Sequence, residues 1–200
     1  MVYRAVIIPT LLYASETWTP YRHHLKTLEN FHQRCLRKIL NIRWEDRRTN
    51  VSVLQEAKIT SLEAYITRNQ LRWSGHIVRM HDARLPKQIF YSQLKDGKRS
   101  RGGQKKRFKD VLKANLKKCN IDCDSWEETA EDRSIWRNSI REGTATFESK
   151  RCEDLEEKRR RRKERQQQPS QAPPPGKVCP HCNRLFQARI GLISHLRTHQ

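Results

Sequence analysis

The chain has 200 residues and a mass of 23.9 kDa, enough for one or two domains. Lys and Arg number 42 against 22 Asp and Glu, giving a net charge of +20 at pH 7, which points to a polyanionic partner. No apolar run approaches the roughly 18 residues of a membrane span, no signal-peptide core opens the chain, and six Cys are too sparse for a secreted disulfide scaffold.

Taken in chain order, the sequence reads mainly α. Val2 to Leu12 is a weak strand candidate, with Pro9 marking an edge or bend. Leu25, Leu28, Phe31, Cys35, Ile39 and Leu40 recur at three and four residues and line one helix face. Thr49 or Asn50 caps a short helix through Leu54 and Ala57. Thr60-Ser61-Leu62-Glu63 reads as a capping box, with Glu63 reaching back to the Thr60 amide. It opens a helix with Leu62, Tyr65, Ile66, Asn69, Trp73, Ile77 and Met80 on one side. Gln88 to Tyr91 is the second weak strand candidate. Phe108, Val111, Leu112, Leu116 and Cys119 define another amphipathic helix. Ser125-Trp126-Glu127-Glu128 reads as a second capping box, before a helix through Trp136 and Ile140. At helical spacing beside Leu and Ile, Trp73 and Trp136 are read as core rather than as base-stacking platforms.

Charge divides the chain in three. Residues 1–118 carry 26 basic and 9 acidic side chains, residues 119–157 carry 5 and 12, and residues 158–200 carry 11 and 1. Lys95 to Lys109 holds eight Lys or Arg and three Gly, a loop able to approach a phosphate chain closely. Its candidate nucleic-acid contacts are Lys98, Arg99, Arg101, Lys105, Lys106 and Arg107. Lys158 to Lys163 are six basic residues in a row. That run suits nuclear import, and Arg159, Arg160, Arg161 and Arg162 add candidate phosphate contacts. Residues 144–168 are almost wholly polar, a solvated rod if helical. Gln166 to Gly176 is a linker, stiffened by Pro173, Pro174 and Pro175.

Beyond the linker, Cys179 and Cys182 are followed by twelve residues and then by His195 and His199, a C-x2-C-x12-H-x3-H pattern. The two Cys fit a hairpin turn, and the two His, four apart, share one helix face. Together they offer the tetrahedral sulfur and nitrogen set that Zn2+ prefers. Phe186 and Leu192 supply a small apolar core. The pattern resembles the two-Cys, two-His zinc finger in ligand spacing and core positions. It departs at Lys177, where that family usually places an aromatic residue. The helix positions that read bases in such fingers fall on Ala188, Gly191 and Ser194, none of which makes the bidentate contacts that discriminate bases.

The body carries a second resemblance. Leu11-Leu12-Tyr13-Ala14-Ser15-Glu16-Thr17-Trp18 looks like the segment just after the catalytic domain of non-LTR retrotransposon reverse transcriptases. Gln70-Leu71-Arg72-Trp73-Ser74-Gly75-His76 and Lys105-Lys106-Arg107-Phe108-Lys109-Asp110 fit the same region, and the finger is similar to one at the C-terminus of such polyproteins. The resemblance implies a helical thumb-like, C-terminal region plus a small ββα zinc finger on a flexible linker. It further implies a grip on template RNA and target DNA.

No acidic motif that would hold polymerase metals occurs, nor does a nucleophile elbow or a phosphate-binding P-loop. The expectation is therefore a non-catalytic, nuclear, truncated retrotransposon-derived fragment. It binds one Zn2+ and grips RNA or DNA phosphates with little sequence specificity, without a small-molecule substrate or membrane partner. The alternative is a DNA-binding regulator, or a protein-interaction module using the single finger. The expected organisation is a basic helical body over 1–142, a charged linker over 143–176 and the finger over 177–200.

Overall fold

The computed structural model describes residues 2–92, 106–167 and 176–199. Among them the chain is mainly helical, with one two-stranded sheet, and no helix is long and apolar enough to cross a membrane. It forms two compact units, residues 1–156 and 157–200.

The first unit opens with a π-helical turn, Tyr3–Ile7, that runs into α1, Ile8–Leu11. Val2 to Leu12 is thus helical, not a strand. A short apolar run is ambiguous by periodicity, and burial of Ile8 and Leu12, four apart, resolves it in favour of the helix. Helix α2 spans Arg22–Ile39, α3 Asn50–Ala57 and α4 Leu62–Val78. Helix α5 spans Leu85–Tyr91, so the second strand candidate is helical too. Pro86 stands in its first turn, where a missing N–H leaves no hydrogen bond unmade. Helix α6 spans Phe108–Lys118, α7 Trp126–Glu131 and α8 Arg133–Gln167.

Two apolar clusters make the core. Leu36, Val53, Leu54, Leu62 and Ile66 gather α2, α3 and the first half of α4. Leu71, Leu112, Leu116, Trp126, Trp136 and Ile140 gather its second half with α6, α7 and α8. On α2 and at its C-cap, Leu25, Leu28, Cys35 and Leu40 pack against the core as expected, but the most buried residues lie beside that face. His32, Gln33 and Leu36 are buried, whereas Phe31 and Ile39 are exposed. The Tyr3 hydroxyl and His32 Nδ1 share a hydrogen bond of 2.8 Å, and burial lowers the His32 pKa, keeping the ring neutral.

Helix starts show which local signals survive folding. Thr49 caps α3, its hydroxyl accepting from the Ser52 amide at 3.0 Å. The cap of α4 is Ser61, not Thr60, and it accepts from the Ala64 amide at 3.2 Å. The expected role of Glu63 falls to Glu148 on α8. Glu148 takes the Ser61 amide at 3.1 Å and the Ser61 hydroxyl at 2.6 Å. Glu63 instead pairs with Lys118 at 2.7 Å. Ser125 makes no side-chain cap, and the expected single helix breaks at Asp132. The Asp132 carboxylate accepts from the Ser134 and Ile135 amides at 2.7 and 2.9 Å and starts α8.

Helix α8 runs continuously through residue 142, where the body was expected to end. Phe147 packs on the second core cluster, and Glu148 and Arg151 form an ion pair at 2.8 Å. Two glycines admit these contacts. A Cβ on Gly75 would overlap the Trp136 indole, and one on Gly143 would lie 2.6 Å from the Cys119 carbonyl oxygen.

The second unit holds β1, Lys177–Val178, and β2, Leu185–Phe186, paired antiparallel with Lys177 opposite Phe186. Helix α9, Arg189–Leu196, follows, and a 3-10 turn, Arg197–His199, ends the described chain.

The Glu148 contact has a testable sign. Burial pushes its carboxyl up, but the Arg151 and Ser61 hydrogen bonds outweigh this and hold its pKa below the usual 4.5. Its contribution is complete above that value and is lost as pH falls through the folded pKa. Glu148→Gln should lower stability by about 1–3 kcal/mol at pH 7. In urea unfolding the deficit should shrink as the solution is acidified below that range. A deficit independent of pH would show that the charge is not what stabilises the contact.

Candidate metal centre

The second unit gathers its chemistry in one turn and one helix. The Cys179 amide donates to the Arg184 carbonyl at 2.9 Å, and the Asn183 amide donates back to the Cys179 carbonyl at 3.0 Å. Asn183 has φ of 53°, the left-handed conformation that Asn tolerates better than most residues. This tight return brings Cys182 back toward Cys179. His195 and His199 lie one turn apart on the same face, on α9 and the turn that extends it.

The ligand atoms of Cys179, Cys182, His195 and His199 all lie within 4.8 Å of one another. Cys182 Sγ and His199 Nε2 each stand 3.0 Å from His195 Nε2. Tetrahedral Zn2+ with ordinary Zn–S and Zn–N bonds separates its ligands by about 3.3–3.8 Å, so the set is close to a fit. Two thiols and two imidazoles are also the donor chemistry that suits zinc. The group could hold one metal ion.

The electrostatics favour the ligating forms. Cys179 is buried, which raises its thiol pKa. Hydrogen bonds from the His181 and Cys182 amides and from the Cys182 thiol outweigh this and lower it. The His195 pKa is lowered by loss of hydration, then by the charges of His199 and Arg184. Thiolate and neutral imidazole are the forms a metal binds.

Around the donors the packing is thin. Phe186 and Leu192, the expected core pair, are half-buried. The Phe186 ring lies 4.8 Å from that of His195, and the Arg184 guanidinium sits over the Phe186 ring, 5.8 Å from its centroid. Lys177 is exposed and leaves the usual aromatic position unfilled. Spacing also offers His181 as a competing ligand, set aside because it lies between the two Cys, and it gives no sign of Gly176. A Cβ on Gly176 would lie 2.6 Å from Leu185 Cδ2, at the end of an exposed side chain free to turn aside. The His181 ring stands 5.2 Å from that of His199, although His181 is not one of the four converging donors.

The expected phosphate contacts fall in separate places. Lys98, Arg99, Arg101 and Lys105 lie outside the described residues. Lys106 is exposed in the first unit, where its Nζ donates to the Pro20 carbonyl at 2.8 Å and lies 5.3 Å from the Tyr21 ring centroid. Arg107 precedes α6, its amide donating to Asp110 at 3.3 Å. Arg159, Arg160, Arg161 and Arg162 are exposed on the last part of α8. Arg160 pairs with Glu164 at 3.5 Å and Arg161 with Glu157, so part of this run is answered within its own helix.

Among known proteins the chain is similar to an uncharacterized transposon-derived protein of Caenorhabditis elegans. The two are 23% identical over 150 residues, 72% of this chain and 54% of the relative. The chain therefore spans about half the length of that relative. No family model matches the chain, and no solved structure matches it. The likeness is consistent with a transposon origin.

Proposed function

We propose that this chain is a transposon-derived, zinc-binding protein that holds nucleic acid through its phosphates and carries out no catalytic step. The observation that carries the proposal is the convergence of Cys179, Cys182, His195 and His199 in a ββα unit of a chain with net charge +20. Bound zinc would supply folding free energy that so thin a core does not. The residues of the unit orient the donors, exclude water from Cys179 and hold His195 neutral. The basic body and the Lys158 to Lys163 run attract phosphates by releasing counterions, and the same run directs the protein to the nucleus. Retrotransposon reverse transcriptases, which the body resembles, supply the context for an RNA or DNA partner.

A second reading has its own support. Ile190 is 81% exposed, Leu185 65% and Val178 48%, so the small unit presents apolar side chains to solvent. With Ala188 and Gly191 at base-facing positions, these suit a protein partner better than a base sequence. Capture of a partner that survives nuclease treatment and is lost in Ile190→Asp would favour it over phosphate binding.

The metal reading is tested by elemental analysis of the full chain. One zinc per chain is expected. Cys182→Ala and His195→Ala should each lose it and unfold residues 176–199, while the body keeps its helices by circular dichroism. Unchanged stoichiometry in both variants would show that the ligands lie elsewhere.

The phosphate reading is tested by salt. Log affinity for duplex DNA should fall linearly with log salt, with a slope of about −0.9 per phosphate contacted. An affinity flat across salt would remove it.

A further inference from the structure

A cleft of about 440 Å³ opens to solvent between α4 and the first turns of α8. Its volume lies in the range of about 300–1,000 Å³ typical of small-ligand sites. Trp136 forms its floor. That indole is 1% exposed, and its Nε1 donates to the Leu71 carbonyl at 3.0 Å. Gly75 permits this close approach.

The walls are cationic. Arg72 and Arg79 come from α4, and Arg133 and Arg137 from α8. Among the described residues, none of the four is in an ion pair. Glu16, the one acid in the lining, pairs with none of them. Arg79 is fixed by donating to the Ala130 carbonyl. Loss of hydration, and then the charges of Arg133 and Arg137, lower its pKa. Arg79, Arg133 and Arg137 thus repel one another in a site where four guanidinium groups face the single carboxylate of Glu16. A bound anion relieves that repulsion. It is notable that Arg133 and Arg137 belong to residues 119–157, a stretch with 5 basic and 12 acidic side chains. Two of its five cations face this cleft.

Trp73 supplies the second element. Its expected place was the core, yet it is only half-buried and lines the open cleft. Its ring centroid lies 5.4 Å from that of His76, which is exposed. Among the described residues its indole N–H makes no hydrogen bond, unlike that of Trp136. An accessible aromatic face ringed by guanidinium groups is the combination that takes a base and its flanking phosphates. A base inside a duplex shows only its edge, so the face requires an unpaired strand.

We propose that this cleft binds single-stranded nucleic acid, with one base stacked on Trp73 and the adjoining phosphates held by Arg72, Arg79, Arg133 and Arg137. The proposal rests on the nucleic-acid reading above and names a site for it.

The test uses the full chain and a short fluorescein-labelled oligonucleotide, as single-stranded RNA, single-stranded DNA and duplex, read by anisotropy. Trp73→Ala should weaken single-strand binding on the order of tenfold, and Trp73→Phe should restore most of it. The salt slope of Trp73→Ala should match that of the parent. The double variant Arg72→Gln with Arg137→Gln, at two exposed positions, should reduce the slope by about 1.4. This pair carries the test if Trp73→Ala fails to fold. Duplex affinity should be unmoved by Trp73→Ala. If the parent binds with a salt slope and the Trp73→Ala and double-arginine variants bind like it, the cleft is not the site and the general reading stands. If the parent binds neither strand nor duplex, both fall. If inorganic phosphate at matched ionic strength displaces the strand equally from parent and Trp73→Ala, the cleft is an anion site without stacking, and the proposal is overturned.

Discussion

The Gln70 amide fixes the arrangement of the larger unit. It is fully buried, and a buried amide left unpaired costs about 1–3 kcal/mol per missing hydrogen bond. Its Nε2 donates to the Trp18 carbonyl at 2.7 Å and to the Ser15 carbonyl at 3.4 Å. Its Oε1 accepts from Asn115 Nδ2 at 2.5 Å. One side chain on α4 therefore binds the segment before α2 and the middle of α6. Apolar packing tolerates small rotations, but these three partners do not. They set which side of α4 faces inward, with Gln70, Ser74 and Ile77 buried. Arg72, Trp73, His76 and Arg79 are then turned toward α8 and the solvent.

A second polar contact aligns α8 with α4. Trp136 reaches the Leu71 carbonyl, and Glu148 reaches Ser61. Along α8 these points are twelve residues apart, about 18 Å, and along α4 ten residues apart, about 15 Å. The near-equality means that the two helices run antiparallel with little slippage. Glu148 also completes the cap of α4 from far away in sequence. The start of α4 is thereby tied to α8, and α4 itself contributes to both core clusters. Glu29 sits beside this contact, accepting from the Glu63 amide at 3.0 Å. Burial raises its pKa, so the carboxylate pair is stabilised unequally, with Arg151 serving Glu148.

What the sequence made legible was local. Thr49 beside its helix, and the four Cys and His at fixed spacing, involve residues within one or two turns of each other. The structure brings those ligands together as their spacing implies. Signals that depend on distant partners misled. Glu63 has the right offset for a capping box, but Lys118 takes it, and Glu148 stands in its place. Periodicity placed Leu25, Leu28, Cys35 and Leu40, on α2 and its C-cap, against the core but missed His32 and Gln33, which are buried although hydropathy places them outside. The cleft was hidden for the same reason. Residues 72–79 and 133–137 are far apart in sequence, and Trp73 has the spacing of a core residue while lying at the edge of the core. Nothing in one helix alone distinguishes a buried aromatic from a half-buried one.

The two units are held together by different physics. The larger one buries Leu36, Leu62, Leu71, Leu116 and Trp136 almost completely, and it tolerates three buried polar atoms, His32 Nε2, Gln33 Oε1 and Arg68 Nε, that find no hydrogen-bond partner among the described residues. In the smaller one, among the described residues, Cys179 is the buried hydrophobic residue, while Phe186 and Leu192 are half-buried and Leu185, Ile190 and Ile193 are exposed. Ordering a segment costs about 1.5 kcal/mol per residue before any gain from burial. So little buried apolar surface does not offset that for a segment of this length. The four donors, within 4.8 Å of one another, mark where a metal ion could supply the missing stabilisation. A body with its own core and a small unit without one must respond differently to the same perturbation. If the small unit holds the proposed zinc, withdrawing it would act on that unit and leave the Gln70 and Glu148 contacts untouched.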